Sequence, residues 1–480
     1  MGTPHRTKII CTVGPATEDD EVLRTLIKEG MNVARLNFSH GSHEYHRANI
    51  ERVRRIADEL GVYVAIMVDT KGPEIRTGLT RDHQPIAFTR GDHVVVTTRS
   101  VEGTHECISL DYQLLPQEVA PGSLIYMDDG LLALQVEHVE GCDIHCVLAN
   151  DGKLGERKGV NVPNVVMQLP AVTEQDRKDI QFSCEMGVDA IAASFVRNGA
   201  AVREIRALCA ECGQPDMMII SKIESSLALD SLDDILQESD GIMVARGDLG
   251  VEIPPAEVPQ VQKDIIARCN AAYKPVITAT QMLDSMTRNP RPTRAEVTDV
   301  ANAIYDGTDC VMLSGETAAG AYPIEAVKMM AEVCRHAERE LPSKHVFHDL
   351  DNKRDVSNAA ALGAIEMAER VGASALLCPT EEGRTARIMS AFRPQLPIIA
   401  TSPWERTLRR ACFYWGVEGV LTNIQDGLAA ICYDTLKVAR SKGIVKSDDL
   451  VVITAGDPLT SPLTRNAETS TNVCMIAQVF

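Results

Sequence analysis

The chain has 480 residues, with 48 Lys and Arg against 67 Asp and Glu, so its formal net charge is −19. A nucleic-acid-binding protein normally carries a basic surface, and this acidic balance argues against a nucleic-acid partner. Apolar residues at 45% and charged residues at 24% permit a large core and argue against global disorder. At about 100–200 residues per domain, the length indicates roughly three domains.

The sequence gives no sign of export or of a membrane partner. No apolar run approaches the ~18 residues that a membrane-spanning helix needs, and the N-terminal residues lack the apolar core of a signal peptide. The 14 Cys are scattered through apolar segments, as expected for buried, reduced thiols. We therefore expect a soluble cytoplasmic protein.

Eight short β-rich segments alternate with helical patterns along the chain. The predicted strands span residues 7–13, 32–38, 63–69, 189–196, 217–223, 241–245, 275–280 and 309–313. Predicted helices include residues 43–60, 173–186, 200–212, 294–306 and 322–338. Such alternation is typical of a parallel α/β sheet, and eight strand–helix units predict a (β/α)8 TIM barrel of about 250 residues.

Two further regions do not belong to this series of eight strand–helix units. Residues 72–168 lack long helical patterns and show short alternating segments at 93–98, 124–127 and 132–138, which predicts a small β domain inserted in a barrel loop. From residue 341 a second α/β pattern begins, with predicted strands at 375–379, 397–400, 419–421, 450–454 and 473–479 and helices at 356–371 and 426–442. The predicted domains are the barrel (1–71 and 169–340), the insertion (72–168) and a C-terminal α/β domain (341–480).

A TIM barrel carries its active site at the carboxyl ends of its strands, and seven of the eight predicted ends are polar and charged. Lys222 and Glu224 alternate at the fifth end, so both can face one side of the strand, and Asp248 follows the sixth. Two carboxylates suit a hard divalent cation such as Mg2+, and a neighbouring ammonium suits a transferring phosphoryl group. For Lys222 and Glu224 alone, a surface ion pair is the alternative.

Other residues at these ends suit anions and a monovalent cation. Arg35, His40 and Arg76 add positive charge for anionic oxygens, and Gly247 with Asp248 can open a short helix whose free N–H groups hold a carboxylate or phosphate. A set of mostly neutral oxygens with one carboxylate suits K+, with turn capping as the alternative. This set is Asn37, Ser39, Asp69 and Thr70.

Seven segments, in this order, resemble the signatures of the pyruvate kinase family. They are residues 32–41 (NVARLNFSHG), 69–78 (DTKGPEIRTG), 158–163 (KGVNVP), 220–225 (ISKIES), 243–254 (MVARGDLGVEIP), 279–286 (ATQMLDSM) and 290–323. The resemblance covers essentially the whole chain. It implies a TIM-barrel A domain, an inserted small β-barrel lid (B) domain, a regulatory α/β C domain and often a homotetramer. Because the chain ends at Phe480, we expect a bacterial-type member without the extra C-terminal phosphoryl-carrier-like domain.

The resemblance implies phosphoryl transfer from phosphoenolpyruvate to ADP, which gives ATP and, after protonation of the enolate, pyruvate. Lys222 would stabilise the phosphoryl group in transit, and Glu224 with Asp248 would hold Mg2+ or Mn2+. The amides of Gly247 and Asp248 would hold the substrate carboxylate, and Thr280 would assist the proton relay. This reaction is the last step of glycolysis.

The resemblance also implies nucleotide and K+ sites. Arg35, His40 and Arg76 would contact phosphates and nucleotide, while Lys158 and Asp129 would reach in from the lid. The positions that match the family's K+ ligands are Asn37, Ser39, Asp69 and Thr70.

Glu74 carries a separate expectation. In this family a Glu at the matching position accompanies K+ dependence, whereas a Lys there supplies the positive charge itself. We therefore expect K+ activation of this chain.

The C-terminal loop after the 375–379 strand resembles the family's effector-phosphate loop. Its matching residues are Thr380, Gly383, Arg384 and Thr385. Glu381 and Glu382 depart from basic variants of this loop and would repel a second phosphate. The sequence therefore leaves the effector open: it could be a sugar or nucleoside monophosphate, fructose bisphosphate, or none at all.

Two rival functions stay open beside the kinase. A lyase or aldolase that acts on enolates or oxoacids would share the metal carboxylates but would not need the lid, the K+ oxygens or the nucleotide-facing arginines. A non-catalytic metabolite sensor would bind phosphoenolpyruvate without turnover, although Lys222, Glu224, Asp248 and Thr280 are all retained. ADP-dependent formation of ATP separates the kinase from both.

Overall fold

The computed structural model describes residues 5–341, 356–456 and 471–480. The chain begins with three barrel strands and two helices. They are β1 (Lys8–Thr12), α1 (Asp20–Glu29), β2 (Met31–Asn37), α2 (His43–Leu60) and β3 (Ala65–Asp69). The Asp19 side chain accepts hydrogen bonds from the first-turn amides of α1, and Ser42 caps α2 in the same way. Gly61, in a left-handed conformation, ends α2.

The inserted region follows β3 and is built almost entirely of short strands. They are β4 (Ile75–Arg76), β5 (Ile86–Phe88), β6 (His93–Thr97), β7 (Cys107–Ser109), β8 (Leu124–Met127), β9 (Leu132–Glu140), β10 (Asp143–Leu148), β11 (Gly152–Leu154) and β12 (Gly159–Asn161), with one short helix, α3 (Leu115–Glu118). Seven strands form a sheet in the order β4-β12-β8-β9-β10-β6-β7, and β11 pairs with β5. Alternate residues such as Leu134, Val136 and Ile144 point into a core that belongs to this region alone.

The second half of the barrel adds five strands and nine helices. They are α4 (Glu174–Glu185), β13 (Ala190–Ala193), α5 (Gly199–Glu211), β14 (Met218–Ile223), α6 (Ser226–Asp230), α7 (Leu232–Glu238), β15 (Gly241–Ala245), α8 (Arg246–Glu252), α9 (Val258–Ala271), β16 (Val276–Ala279), α10 (Arg294–Asp306), β17 (Cys310–Leu313), α11 (Gly315–Ala318) and α12 (Pro323–Arg339). Single 3-10 turns occupy Pro15–Thr17, Arg81–His83, Asp284–Thr287 and Ala411–Phe413.

Eight parallel strands close the barrel in the order β1-β17-β16-β15-β14-β13-β3-β2, which confirms the predicted (β/α)8 fold and all eight predicted strands. Inward residues such as Ile10, Met67 and Met243 fill the interior, while alternate residues face the surrounding helices. The strand whose observed length differs most from its prediction is β13, predicted at residues 189–196. It ends at Ala193 because Phe195 takes a left-handed backbone conformation, with φ 55°.

The C-terminal region forms a second α/β unit. Its elements are α13 (Val356–Val371), β18 (Leu376–Pro379), α14 (Arg384–Ala391), β19 (Ile398–Ser402), α15 (Glu405–Arg410), β20 (Val417–Leu421), α16 (Leu428–Ser441), β21 (Leu450–Ala455) and β22 (Val473–Gln478). The sheet order is β20-β19-β18-β21-β22, with β22 antiparallel, and all five predicted strands are confirmed. Residues 342–355 and 457–470 of the predicted domain lie outside the described residues. Within the described part of the chain, no helix is long and apolar enough to cross a membrane.

Buried ion pairs attach this unit to the barrel at the amino ends of two strands. Asp309, directly before β17, has Oδ1 2.7 Å from an Nη atom of Arg393, and both side chains are almost fully buried. Asp189, directly before β13, is held by Arg54 at 2.6 Å and by Arg409 at 2.8 Å. These contacts fix the C-terminal unit at the barrel end opposite the carboxyl ends of the strands.

The Asp309–Arg393 pair should contribute measurably to stability. Replacing Arg393→Met leaves a buried carboxylate without its cation, which should lower the free energy of unfolding by about 3–5 kcal/mol. Urea unfolding measures the change. The matched control is Arg370→Met, because Arg370 faces Glu366 across an exposed 3.8 Å pair on α13 and should matter little. Equal losses in the two variants would contradict a structural role for the buried pair.

Candidate active site

Lys222 lies near the end of β14, at the centre of a buried charge cluster. Its Nζ atom is 2.7 Å from Glu224 Oε1 and 3.2 Å from Asp69 Oδ1, and it donates a hydrogen bond of 2.7 Å to Ser194 Oγ. Only 12% of the Lys222 side chain is exposed. Burial alone would lower the pKa of Lys222, but Asp69 and Glu224 raise it above its ordinary value. The ammonium therefore stays charged at neutral pH.

Glu224 is 1% exposed and is held from two sides. Its Oε2 atom accepts a 2.5 Å hydrogen bond from the Phe195 amide, while Oε1 faces Lys222. Burial, with a smaller contribution from the nearby Asp248 carboxylate, raises the pKa of Glu224 to about 7 against the opposing effect of Lys222. The pKa values of Lys222 and Glu224 are thus both raised. At Glu224 the effect of burial is larger than that of the ion pair with Lys222. At Lys222 the effect of the neighbouring carboxylates is larger than that of burial.

Asp69 joins the cluster to Arg35 on the neighbouring strand β2. The Nε and Nη2 atoms of Arg35 both lie 2.7 Å from Asp69 Oδ2, and Nη1 donates to Thr12 Oγ1 at 2.9 Å. Burial would raise the pKa of Asp69, but Arg35 and Lys222 hold it below its ordinary value. Arg35 is only 9% exposed, so its guanidinium group is buried at the carboxyl end of the barrel.

The four predicted K+ residues lie at the adjacent ends of β2 and β3. Asn37 and Asp69 are partners in the strand register, and Thr70 is joined to Ser194 through its carbonyl oxygen at 2.7 Å. The Asn37 Oδ1 atom accepts a 3.1 Å hydrogen bond from the Ser39 amide. This contact is the turn capping that the sequence left open as the alternative, so the Asn37 side chain has a structural role whether or not an ion binds.

Thr280 follows β16 in a strained conformation. Its φ of 67° is unfavourable for a β-branched residue. Two hydrogen bonds hold it there: the Gly247 amide donates to Thr280 Oγ1 at 2.8 Å, and Arg246 donates to its carbonyl oxygen at 2.7 Å. The hydroxyl also donates to the Ala279 carbonyl oxygen at 2.6 Å. One of the two amides expected to bind a carboxylate is therefore occupied by Thr280.

Asp248 differs from Asp69 and Glu224 because it forms no hydrogen bond or ion pair with any side chain in the described ranges. Burial raises its pKa, Lys222 opposes that shift, and Asp129 in the inserted region adds to it. No group of three or more His, Cys, Asp or Glu side chains in the described residues is arranged to hold a metal ion. A divalent cation would therefore take Glu224 and Asp248 from the protein and its other oxygens from water or substrate, which fits a hard ion such as Mg2+.

A cavity of about 520 Å³ separates the carboxyl end of the barrel from the inserted region. Six predicted residues line it: His40, Arg76, Asp129, Lys158, Glu224 and Asp248. Eight others do not line it: Arg35, Asn37, Ser39, Asp69, Thr70, Lys222, Gly247 and Thr280. Two cationic residues of the wall are paired with acids, Arg76 with Glu74 through a 2.8 Å hydrogen bond and Lys158 with Asp128 at 2.9 Å.

Ser194 and Asp128 belong to the site but had no predicted role. Ser194 bridges Lys222, Asp69 and Thr70. The signal that could have found it is its position at the carboxyl end of the fourth predicted strand, 189–196. Asp128 pairs with Lys158, although sequence reasoning singled out the neighbouring Asp129. Both aspartates have φ 54°, and no sequence signal tells which carboxylate of such a turn meets the lysine.

The predicted effector residues form a separate loop between β18 and α14. Gly383, with φ 87°, donates its amide to Thr380 Oγ1 at 3.0 Å and is followed by the first residue of α14, Arg384. Thr385 Oγ1 lies 2.8 Å from Thr471 Oγ1, and both residues are buried. The loop thus has the form of a helix N-terminus, which favours anions, but the hydroxyl groups of Thr380 and Thr385 already have partners.

The raised pKa of Glu224 makes stability depend on pH. A carboxyl group whose folded-state pKa is raised favours the folded state fully below pH 4.5, and that contribution is lost as the pH rises through about 7. Without divalent metal, the wild type should therefore lose roughly 3 kcal/mol of unfolding free energy relative to Glu224→Gln as the pH rises from 4.5 to 8.

Urea unfolding at several pH values in the presence of a chelator measures this shift. Glu332→Gln, on the exposed face of α12, is the matched control and should follow the wild type. A difference between wild type and Glu224→Gln that stays constant with pH would mean that the Glu224 carboxyl group titrates normally.

Comparison with known proteins agrees with this geometry. The family model described as "Pyruvate kinase, barrel domain" matches residues 4–327, and "Pyruvate kinase, alpha/beta domain" matches residues 358–477. The chain is 48% identical to "Pyruvate kinase" from Staphylococcus aureus strains MRSA252, USA300 and COL, over 95% of this chain and 78% of each relative. Pyruvate kinases are generally metal-dependent enzymes. The chain belongs to the pyruvate kinase family of phosphotransferases.

Proposed function

We propose that this chain transfers a phosphoryl group from phosphoenolpyruvate to ADP, giving ATP and pyruvate, with Mg2+ or Mn2+ and K+ as cofactors. The observation that supports this most directly is the buried Lys222 ammonium, held between Asp69 and Glu224 at the carboxyl end of the barrel. Family membership supports the same reaction. The inserted region would act as a lid over the cavity, and we propose residues 72–168 as its bounds.

Glu224 and Asp248 would hold the divalent cation. The fit rests on their chemistry: Asp248 has no protein partner among the described residues, and burial disfavours the charged form of both carboxyl groups. When bound, Mg2+ or Mn2+ supplies positive charge to the oxygens of the substrate and of the phosphoryl group. Glu224 stays oriented for this role because the Phe195 amide fixes its other oxygen.

Lys222 would stabilise the negative charge on the phosphoryl oxygens during transfer. Its ammonium has three donors, and the contacts with Asp69, Glu224 and Ser194 fix its position before substrate arrives. A pre-oriented charge in a site with little water acts most strongly on the state with the most exposed negative charge. Lys222 should therefore matter more for turnover than for substrate binding.

Thr280 would assist protonation of the enolate, and the amides of Gly247 and Asp248 would hold the substrate carboxylate. In this structure the Thr280 hydroxyl accepts the Gly247 amide hydrogen and donates to the Ala279 carbonyl oxygen. A carboxylate that takes the Gly247 amide would leave the Thr280 hydroxyl with a vacant acceptor position. Substrate binding and the readiness of Thr280 to move a proton would then be linked through one hydrogen bond.

The nucleotide would bind along the cavity wall. His40, Arg76, Lys158 and Asp129 line that wall, and Arg35 would contribute after giving up part of its contact with Asp69. The acids that now pair with Arg76 and Lys158 would be exchanged for phosphate oxygens, with which guanidinium and ammonium groups form strong, charge-assisted hydrogen bonds.

K+ would bind among the oxygens at the ends of β2 and β3. The proposed ligands are Asn37, Ser39, Asp69 and Thr70. Glu74 supports this part of the proposal, because it lines the cavity and its charge adds to the raised pKa of Asp248. A monovalent cation would offset negative charge in that region.

Regulation and assembly remain predictions from the resemblance. We propose that the loop with Thr380, Gly383, Arg384 and Thr385 holds the phosphate of a sugar phosphate or nucleoside monophosphate, if the site is used. The homotetramer, allosteric control and the cytoplasmic location also stay predictions.

Replacing Lys222→Met tests the proposed reaction. In a coupled assay with phosphoenolpyruvate, ADP, Mg2+ and K+, the wild type should form ATP and pyruvate together. The variant should lose about 10²–10³-fold in turnover with a modest change in substrate binding, since the lost charge acts mainly in the transition state. Lys437→Met, an exposed lysine on α16, is the control.

Three results would oppose this assignment. Equal losses in turnover and in binding would refute the transition-state role of Lys222. Pyruvate formation without ADP would favour a lyase. Binding of phosphoenolpyruvate by folded wild type without any turnover would favour a metabolite sensor.

Glu74→Lys tests the K+ proposal. Wild-type turnover should rise about tenfold or more with K+, which corresponds to an activation free energy lowered by roughly 1.4 kcal/mol. The variant should be active without K+, because its ammonium supplies the missing charge. Glu102→Lys makes the same charge change on the exposed lid surface and should keep the K+ requirement. Wild-type turnover indifferent to K+ would remove the monovalent site and leave the kinase reaction standing.

A further inference from the structure

Among its contacts with the barrel, the lid approaches one helix, α8, at two neighbouring residues. The Asn161 side chain, on lid strand β12, donates from Nδ2 to Glu252 Oε1 at 3.2 Å. Nearby, Val251 on α8 lies opposite Gly130 of the lid, and its Cγ1 atom is 3.5 Å from the place where a Gly130 side chain would begin. The lid thus makes a polar contact with Glu252 and closely approaches the preceding residue of α8.

Helix α8 also carries Asp248, the proposed metal ligand. Asp248 and Glu252 are four residues apart and so lie on the same face of the helix. Both residues line the active-site cavity together with Asn161. The lid is therefore attached to the helix face that presents the metal carboxylate.

Strand β12 ties Asn161 to the nucleotide-facing residues of the lid. Gly159 pairs with Arg76 on β4, and Asn161 pairs with Tyr126 on β8. Lys158 directly precedes the strand, and its neighbour Gly159 accepts the Asp128 amide at 3.0 Å. Because β4, β12 and β8 are hydrogen-bonded in one sheet, the position of Asn161 is coupled to the positions of Arg76 and Lys158.

We propose that the Asn161 amide and the Glu252 carboxylate form a latch that holds the lid over the active site, with both acting as positioning residues. An amide that donates to a carboxylate makes a charge-assisted hydrogen bond, and Glu252 has no other hydrogen-bond partner within the described ranges. When the lid opens, Glu252 exchanges Asn161 for water, so the contact can form and break in each catalytic cycle. The kinetic consequence rests on the proposed kinase function, but the lid contact itself does not.

Asn161→Asp is the sharpest test, because it places two carboxylates in contact and should open the lid. Deuterium uptake by the peptide that covers α8 should become about tenfold faster, as expected for the loss of a hydrogen bond to a charged group. The KM for ADP should rise about tenfold, with a smaller change in kcat. A purely structural role for Asn161 would lower thermal stability without separating KM from kcat.

The double variant Asn161→Asp with Glu252→Gln should restore both readouts, since the Gln amide can donate to the new carboxylate. Gln135→Glu, which adds the same charge to the exposed face of β9, is the control and should match the wild type. Unchanged deuterium uptake in Asn161→Asp, or no rescue by the double variant, would overturn the latch. If wild type shows no ADP-dependent turnover, the proposed function fails, while the uptake comparison still decides whether the latch exists.

Discussion

The contact of the Lys222 ammonium with Asp69 and Glu224 is the interaction on which the rest of the site depends. Each of these charges, and that of Arg35, would be costly to bury alone, and each is tolerated because the others lie within about hydrogen-bonding distance. The four residues come from β2, β3 and the end of β14, which lie in one stretch of the barrel, β14-β13-β3-β2. The cluster therefore forms only when β3, from the first part of the barrel, pairs with β13, from the second part.

The barrel carries buried charge at both ends with an apolar interior between them. At the amino ends, Asp189 and Asp309 bind arginines of the C-terminal unit, which is thereby attached through several short contacts. At the carboxyl ends, the lid is attached by hydrogen bonds, such as Asn161 to Glu252 and Arg197 to the Met167 carbonyl oxygen, and no ion pair of the described residues joins it to the barrel. Because it lacks buried ion pairs with the barrel, we expect the lid to move more readily than the C-terminal unit.

Much of this arrangement could be predicted from sequence, because local patterns determine it. Short β-rich segments between helical patterns located the eight strands, and the rule that barrel strands present their carboxyl ends together brought Lys222, Glu224 and Asp69 into one region. What could not be predicted depends on side-chain rotamers and on docking between domains. The Asn161–Glu252 contact joins two segments that become neighbours only when the lid rests on the barrel. For Asn37 the sequence offered an ion site and turn capping as alternatives, and only the hydrogen bond from the Ser39 amide shows that its Oδ1 atom caps the turn.

The balance of charges gives a physical reason for the divalent cation that we propose at the site. Lys222 and Arg35 balance Asp69 and Glu224 within the buried cluster. Asp248 and Asp129 remain, and neither has an ion pair within the described residues, so the cavity wall on the side of α8 is negative, whereas Arg157 and Arg197 bring positive charge to other parts of the wall. An anionic substrate would be repelled by this pair of carboxylates, whereas a divalent cation bound first would balance them and attract it. The proposed dependence on a divalent metal thus follows from the electrostatics of the protein as much as from the chemistry of phosphoryl transfer.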